Sequence, residues 1–410
     1  MTGSPQVVPM ALPESYGVSC VDLMTRDNLP RERGIFVRIF YPTPKFEPDP
    51  ANTDSTMEMI PEPREEYLKG MKNFLKMFPT ILGKLMGRWL DSKIRSFNSK
   101  HRLPIRYFGP FWAGEKGPYP VVVFSPGFSN MRFGNTGQAV ALVAQGYVVA
   151  VVEHGDGSSC YTHRESGPIP FSPPAGFNGF NFYSCARGFA TMAEHRSREL
   201  VRSFELMVKL GNGLLKESDL WEPPKGFDLN MFKGQLKTES MLAMGHSLGG
   251  GAILSAVAKE CQIFKSAVIL DGAMMNVNKT SFDNLCGKKT PILFINADGH
   301  YKEEVEKRWK LTQGNPAFVK MITIKGTTHV SYCDSALYLK SWQGRGKIEL
   351  PVLERMVALA TKSFDEASST TGGLKSWPDE LLRKQYPNEI FSPLTASVDR
   401  KLNRNYQFKD

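Results

Sequence analysis

Residues 241–254 read Met-Leu-Ala-Met-Gly-His-Ser-Leu-Gly-Gly-Gly-Ala-Ile-Leu, and this stretch decides the fold. An apolar run at 241–244 leads into the pentapeptide Gly-His-Ser-Leu-Gly, and small and apolar residues follow it. The pattern predicts a strand, a sharp turn and a helix, which is the context that a G-x-S-x-G nucleophile elbow requires. Such a turn holds Ser247 in a strained conformation, needs glycine around it, and presents the hydroxyl above a helix N-terminus.

Apolar runs alternate with helical patterns through most of the chain. Strands are predicted at 118–124, 147–153, 241–244, 266–270, 291–296 and 321–325. Helices are predicted at 136–145, 193–210 and 351–364. The alternating segment 34–42 predicts one strand of an antiparallel edge hairpin. Strands that alternate with helices imply a mostly parallel central sheet flanked by helices, so the prediction is an α/β protein with the α/β-hydrolase fold.

One domain is expected over residues 1–365, with two segments that interrupt the alternation. Residues 66–98 form an amphipathic basic insertion, and residues 164–184 form an irregular loop rich in Pro and Phe. Residues 366–410 form a polar C-terminal tail that is expected to be peripheral. The phenylalanines of the loop are expected either to line an acyl pocket or to fill core: Phe171, Phe177, Phe180 and Phe182.

Charge and cysteine content narrow the class of protein. The net charge is +10, and residues 67–106 hold ten basic residues against one acid, a net charge of +9. The six cysteines are scattered, without a C-x-x-C pair or metal-ligand spacing, so a reducing compartment and no metal are expected. The chain shows no secretory signal, no apolar run of membrane-spanning length and no cofactor motif. We therefore expect a cytoplasmic protein without a cofactor, with peripheral binding to membranes as a further expectation.

The basic insertion has the pattern of an amphipathic helix. From Tyr67 to Trp89 apolar residues recur at i, i+3 and i+4, and Pro79 is expected to kink or divide the helix. A basic helix with aromatic residues on its apolar face can lie in a membrane interface, whereas an ordinary surface helix packs that face on the protein. The candidate interface residues are Phe74, Phe78, Leu82, Leu85 and Trp89. No nucleic-acid recognition fold accompanies the charge, so nucleic-acid binding is not expected.

A serine nucleophile requires a base, and the base requires an orienting acid. In α/β-hydrolases these follow in the order Ser, acid, His, and His329 comes just after the last predicted strand, where the base belongs. His300 is expected to be a loop residue. Two acids are candidates, because Asp271 and Asp298 each end a predicted strand at the sheet edge where ligands bind. The residues alone do not choose between them.

Two backbone N–H groups are expected to form an oxyanion hole. One belongs to the residue after the nucleophile, Leu248, and the other to the loop after the strand at 118–124. Within that loop, Phe124-Ser125-Pro126-Gly127-Phe128-Ser129, the prediction is Phe128.

Four segments together resemble a known family. They are Val-Val-Val-Phe-Ser-Pro-Gly at 121–127, Val-Glu-His-Gly-Asp-Gly-Ser at 152–158, Gly-His-Ser-Leu-Gly-Gly at 245–250 and Leu-Asp-Gly at 270–272. They resemble the platelet-activating factor acetylhydrolases of the α/β-hydrolase type, which have plasma and intracellular members. The resemblance covers most of residues 16–365. It departs at Pro126, where the family usually has His, and at Gly155 and Gly157, where it has Arg.

The resemblance implies a function and a choice of acid. The family hydrolyses the sn-2 ester of phospholipids with short or oxidised acyl chains, without calcium, and places its acid after the sixth strand, which selects Asp271. We therefore expect a carboxylic ester hydrolase that acts on phospholipid at a membrane or lipid interface. Two alternatives are an esterase or peptidase of the same fold with soluble substrates, and a lipid-binding pseudo-hydrolase. Glu153, His154 and Asp156 are expected to form a hydrogen-bonded turn that braces the site.

Overall fold

A mixed sheet flanked by helices forms the centre of the protein. The computed structural model describes residues 5–77, 81–113, 117–179, 181–259, 263–298, 302–338, 348–377 and 380–391. Its strands are β1 (Gln6–Val7), β2 (Gly17–Met24), β3 (Phe36–Thr43), β4 (His101–Arg102), β5 (Arg106–Tyr107), β6 (Tyr119–Ser125), β7 (Val148–Glu153), β8 (Tyr161–Arg164), β9 (Gly167–Pro170), β10 (Leu236–His246), β11 (Phe264–Leu270), β12 (Ile292–Ala297), β13 (Val319–Ile324) and β14 (Ile390–Phe391). Its helices are α1 (Arg64–Lys76), α2 (Ile81–Lys100), α3 (Thr136–Ala144), α4 (Ala186–Gly211), α5 (Leu248–Ala258), α6 (Lys279–Gly287), α7 (Lys302–Gly314), α8 (Ser335–Tyr338), α9 (Leu350–Ser368) and α10 (Glu380–Gln385).

Within the described residues, ten strands form the main sheet in the order β14-β13-β12-β11-β10-β6-β7-β3-β2-β5. The six strands from β13 to β7 run parallel, and β3 and β14 are antiparallel to their neighbours there. The predicted mostly parallel α/β sheet is confirmed, and so is the antiparallel pairing of β2 with β3. Strand β10 and helix α4 begin several residues earlier than predicted: the added residues of β10 are mostly polar, and those of α4 include Gly188.

Both faces of the sheet are buried, because successive side chains of a strand point to opposite faces. In β6, Val121 and Val123 join the core under α4 and α5, whereas Val122 and Phe124 join the core under α3 and α9. The parallel register aligns Gly245 of β10 with the end of β6 and with β11. The carboxyl ends of these three strands therefore meet at one edge, which is where ligands bind in open α/β sheets.

The basic insertion packs over this edge. Helices α1 and α2 contact each other and are separated around Pro79, which lies outside the described residues. Tyr67, Leu68 and Leu75 of α1 are buried together with Ile94 of α2, and this cluster includes Met131, Phe133 and Cys160 from loops of the main domain. Much of the apolar face of the insertion therefore packs on the protein, as an ordinary surface helix does.

The expectation of an irregular loop at 164–184 needs correction. Residues 164–184 are not irregular throughout, because β8 and β9 form a short antiparallel hairpin that extends into this segment. The side chain of Arg164 is buried there and donates to the carbonyls of Gly34 (2.8 Å) and Glu153 (2.6 Å). The hairpin is thus fixed by long-range hydrogen bonds that no local pattern reveals.

The prediction that the tail is peripheral is wrong for its described part. Strand β14 adds to the sheet beside β13, and Trp377 is buried against Phe364 of α9 and donates to Ser363 Oγ (3.1 Å). The apolar residues of the tail are too widely spaced to form a periodic pattern. The polar composition of the tail therefore indicated a peripheral segment, which its described part is not. Residues 392–410 lie outside the described residues. Among the helices that the structure describes, none combines the length and hydropathy that a membrane span requires.

Candidate active site

Ser247 lies on the turn between β10 and α5 with φ 54° and ψ −121°. This is a rare conformation for a residue with a side chain and persists only where the surroundings enforce it. The flanking glycines explain how the turn closes. A Cβ on Gly245 would lie 2.7 Å from the backbone of Gly249, and a Cβ on Gly249 would lie 2.0 Å from the carbonyl oxygen of Ser125. The predicted elbow is therefore present, and its glycines are required by backbone contacts.

Three of the predicted residues meet at this edge of the sheet. His329 Nε2 lies 2.9 Å from Ser247 Oγ, and His329 Nδ1 lies 2.7 Å from Asp271 Oδ2. A carboxylate accepts only, so the Asp271 contact places the proton of a neutral His329 on Nδ1 and leaves Nε2 to accept from the serine hydroxyl. The three side chains thus form a chain of hydrogen bonds along which a proton can move from Ser247 to His329.

Asp271 is held by a residue that the sequence did not single out. Its side chain is fully buried, its φ is 44°, and its Oδ1 accepts from Arg308 Nη1 (3.0 Å) and from the N–H of Ala297 (3.3 Å). Arg308, on α7, is also fully buried and donates to Asn296 Oδ1 (2.6 Å) and to the carbonyl of Gly272. A buried carboxylate needs such a partner, and here it leaves Oδ2 directed at His329.

The other acid candidate has a different contact. Asp298 Oδ2 accepts from the N–H of Gly326 (3.0 Å), and its own N–H donates to Thr327 Oγ1 (3.4 Å). Asp298 therefore ties the end of β12 to the turn that leads to His329. His246, inside the pentapeptide, holds the same segment, because its Nε2 lies 3.0 Å from the carbonyl oxygen of His329. His300 lies outside the described residues.

Ser247 and His329 open into a mainly apolar cavity of about 270 Å³. Its wall comes mainly from the insertion, the loop after β6 and the segment after His329, with Cys160 and Phe182 added from other loops. The apolar lining residues include Met71, Phe74, Leu75, Ile94, Phe128 and Phe182. The insertion thus supplies a wall of the cavity.

The predicted oxyanion residues both lie near Ser247. Leu248 is the first residue of α5, and Phe128 lines the cavity. The Phe128 ring sits in an aromatic cluster whose other rings lie 5.1–6.1 Å away: Phe74, Phe171, Phe177 and Phe189. Of the loop phenylalanines, Phe182 lines the cavity, Phe171 and Phe177 surround Phe128, and Phe180 lies outside the described residues.

The predicted interface residues do not share one environment. Phe74 is half-buried and faces the cavity, with its ring 5.6 Å from that of Phe171. Trp89 is 42 % exposed, and the Lys93 ammonium lies 5.8 Å from its ring centre. Leu82 and Leu85 are on α2 with side chains outside the description, and Phe78 lies outside the described residues.

Acidic residues compensate part of the positive charge of the insertion. Arg95 pairs with Glu65 (2.6 Å) and Asp91 (3.2 Å), and Lys69 lies 3.9 Å from Glu66. Glu65 and Glu66 immediately precede the stretch in which the basic excess was counted. The net positive charge of the insertion is therefore smaller than the sequence count indicates.

Glu153 belongs to a buried ionic network that anchors the insertion. It accepts from Arg132 Nη1 (2.8 Å), Thr162 Oγ1 (2.6 Å) and the hydroxyl of Tyr67 on α1 (2.8 Å). Burial alone would raise the pKa of Glu153, but the Arg132 guanidinium and these hydrogen bonds outweigh burial and hold the pKa below its ordinary value. The cavity wall formed by α1 is thus tied to the end of β7 through a charged carboxylate.

Comparison with known proteins identifies the family. Residues 1–350 match the family described as platelet-activating factor acetylhydrolase, isoform II. The platelet-activating factor acetylhydrolase of Gallus gallus is 27% identical over 331 residues, which cover 78% of this chain and 72% of that protein. That of Cavia porcellus is 25% identical over 359 residues, which cover 85% and 75%.

A solved structure has the same fold. The ferulic acid esterase from Streptomyces cinnamoneus superposes with a TM-score of 0.57 at 15% identity, covering 97% of this chain and 98% of that one. The family match spans most of the chain and includes the elbow, both acid candidates and His329. The chain belongs to the platelet-activating factor acetylhydrolase family, isoform II.

Proposed function

We propose that this protein is a serine-dependent, calcium-independent esterase that hydrolyses the short or oxidised sn-2 acyl ester of platelet-activating factor and related phospholipids. The observation that carries the proposal is the hydrogen-bonded chain from Ser247 through His329 to Asp271, which opens into an apolar cavity. Membership of the family supports an ester substrate carried by a lipid.

In the proposed mechanism, His329 Nε2 takes the hydroxyl proton of Ser247 as Oγ attacks the sn-2 carbonyl carbon. The N–H groups of Phe128 and Leu248 stabilise the negative charge that develops on the carbonyl oxygen. His329 then returns the proton to the departing glycerol oxygen, which leaves an acyl-serine. A water molecule, deprotonated by His329, releases the acid and restores the Ser247 hydroxyl. Asp271 holds the tautomer and stabilises the imidazolium.

The size of the cavity supports a short acyl chain. Its volume of about 270 Å³ is just below the usual range for ligand pockets, about 300–1,000 Å³. Phe74 and Phe128 close it with aromatic rings on one side. These rings limit the room for an acyl chain on that side of the cavity.

The test is the release of labelled acetate from a phospholipid with an sn-2 acetyl group, measured with chelator present. Wild type should release acetate and Ser247→Ala should not. A second phospholipid with a long sn-2 chain should be hydrolysed much more slowly. Turnover of a small soluble ester without any release from the phospholipid would instead favour the soluble-substrate alternative. Binding to the phospholipid without turnover of any ester would favour the pseudo-hydrolase.

Phe74→Ala is expected to shift the preference toward longer acyl chains, because it removes a ring from the cavity wall. Each additional buried methylene contributes about 0.8 kcal/mol, or about fourfold in kcat/KM. The effect is measured as a rise in the ratio of kcat/KM for a hexanoyl ester to kcat/KM for an acetyl ester, in Phe74→Ala relative to wild type. Trp89→Ala is the matched control, since Trp89 is on the same insertion but exposed. An unchanged ratio in Phe74→Ala would show that Phe74 does not limit chain length.

We further propose that the exposed part of the insertion contacts anionic lipid through Trp89, beside the described basic residues Arg88 and Lys93. An aromatic side chain inserted at an interface contributes about 1.5–3 kcal/mol when fully buried, so Trp89→Ala is expected to weaken vesicle binding about tenfold. Co-sedimentation with vesicles that contain phosphatidylserine, at low and high salt, measures this loss.

The control for vesicle binding is Leu214→Ala. Leu214 is 63 % exposed and lies near the amino end of β10, away from the active-site edge. The Leu214→Ala variant should bind vesicles as wild type does. Both Leu214→Ala and Trp89→Ala should hydrolyse a soluble ester at the wild-type rate. Equal vesicle binding by Trp89→Ala and wild type would contradict this mode of docking.

A further inference from the structure

A second serine–histidine–carboxylate array lies directly behind the loop that carries Phe128. Ser125 Oγ is 2.8 Å from His154 Nε2, and His154 Nδ1 is 2.6 Å from Glu199 Oε2. All three residues are buried, so substrate has no access to the serine. The array has the connectivity of a catalytic triad, but its position excludes a second active site.

The protonation states of the array follow from its contacts. Glu199 also accepts from the N–H of Gly155 (3.0 Å) and lies 3.4 Å from His195. Burial alone would raise the pKa of Glu199, but its contacts with His154 and His195 hold the pKa well below its ordinary value. Burial lowers the pKa of His154, so its imidazole is neutral with its proton on Nδ1. Nε2 therefore accepts from the Ser125 hydroxyl, which fixes the start of the loop.

Arg196, one turn before Glu199 on α4, holds the next part of the loop. Its guanidinium is fully buried and donates to the carbonyl of Pro126 (2.6 Å), more weakly to that of Gly127 (3.4 Å), and to Asp156 Oδ2 (3.1 Å). The N–H of Asn130 also donates to the Gly127 carbonyl (3.2 Å). Both carbonyls that precede Phe128 are thus held by donors.

The direction of the Phe128 N–H follows from peptide geometry. The Gly127 carbonyl and the Phe128 N–H belong to one planar trans peptide and point in opposite directions. Arg196 donates to this carbonyl from α4, so the Phe128 N–H is aimed away from α4. On the other side of Phe128, the N–H of Ser129, at φ 66°, donates to the carbonyl of Ser158 (2.8 Å), and Ser158 Oγ accepts from Arg196 Nε (3.0 Å).

We infer that Arg196, together with the Ser125–His154–Glu199 array, is a positioning device that fixes the oxyanion loop and aims the Phe128 N–H at the reacting carbonyl. This inference rests on the proposed function. It gives the Glu-His-x-Asp-x-Ser segment at 153–158 a role: His154, Asp156 and Ser158 link α4 to the loop. None of these residues touches substrate.

The experiment compares Arg196→Met with Arg198→Met, a control on the same helix whose side chain is 63% exposed. A donor missing from an oxyanion hole lowers kcat by about 10²–10³-fold, so Arg196→Met should lower kcat for a small acetyl ester by about 100-fold with little change in KM. Ser247 adds to a trifluoromethyl ketone and gives an adduct whose former carbonyl oxygen is an oxyanion. The affinity for this ketone should fall by the same factor. Arg198→Met should match wild type in all three measurements.

A milder variant covers the case in which Arg196→Met does not fold. Ser125→Ala removes one hydroxyl from the array and should lower kcat about tenfold, again in parallel with the affinity for the ketone. Unchanged kcat in a folded variant, or a rise in KM with kcat retained, would overturn the inference while leaving the esterase intact. Failure of the proposed function looks different, because wild type itself would then release no acetate from the phospholipid.

Discussion

Ser247→Ala is expected to lower kcat for ester hydrolysis by about 10⁶-fold, since removal of a serine nucleophile of this type abolishes the acyl-enzyme route. The structure gives the physical reason. Ser247 is the hydroxyl within hydrogen-bond distance of His329 Nε2 at the cavity, and the strained turn directs it there. The residual rate should come from binding and the oxyanion hole alone. Initial rates on a small ester measure the loss of hydrolysis, and labelling by a fluorophosphonate measures the loss of the reactive serine.

The control for this prediction is Ser335→Ala. Ser335 also lines the cavity, but its hydroxyl lies against Cys333 Sγ (2.9 Å). The Ser335→Ala variant should keep nearly the full rate of ester hydrolysis and be labelled by the fluorophosphonate as wild type is. The melting temperature of Ser247→Ala should stay close to that of wild type, because alanine removes only the hydroxyl group. Undiminished hydrolysis by Ser247→Ala would refute a serine mechanism at this site.

The elbow was predictable because its requirements are local. Gly245 and Gly249 are dictated by contacts within about ten residues of chain and with the adjoining strand, so the spacing of glycines around Ser247 carries the information. The order of Ser, acid and His along the chain depends only on topology. The placement of His329 after the last parallel strand is likewise visible in the sequence. The catalytic roles of these residues stay predictions.

The supporting residues were not predictable, because they act across the fold. Arg308 reaches Asp271 from a different helix, and Arg196 reaches Pro126 over 70 positions of chain. Nothing in the local sequence distinguishes these arginines from exposed ones such as Arg198. A buried arginine becomes recognisable only when the carbonyls and carboxylates around it are known.

The insertion shows a related limit. Periodicity indicates that Phe74 and Trp89 belong to amphipathic helices, but it does not say what each apolar side chain contacts. In the structure Phe74 faces the cavity and Trp89 faces outward. One periodic pattern therefore serves two purposes, a wall for the cavity and an exposed surface.

Asp271→Asn is expected to lower kcat about 10⁴-fold, the effect of a wrong histidine tautomer in a triad. Arg308 and the Ala297 N–H both donate to Oδ1 of Asp271, so an asparagine there should keep its carbonyl oxygen toward these donors. Its NH₂ group then faces His329 Nδ1 and donates to it. The imidazole proton must move to Nε2, which can no longer accept from Ser247. The size of this loss is measured by comparing kcat for a small ester between wild type and Asp271→Asn over a range of pH.

Asp298→Asn is the matched control and also decides between the two acids. Asp298 accepts from the Gly326 N–H, and an amide oxygen can accept the same bond, so the variant should lose less than about twofold in kcat. The two substitutions change the same charge at the ends of adjacent strands. Asp271 contacts His329, whereas the contacts of Asp298 are to Gly326 and Thr327, so a difference of several thousandfold in kcat between folded variants assigns the orienting role to Asp271. A large loss in Asp298→Asn with a small one in Asp271→Asn would instead mean that the histidine takes its acid from β12 during the reaction.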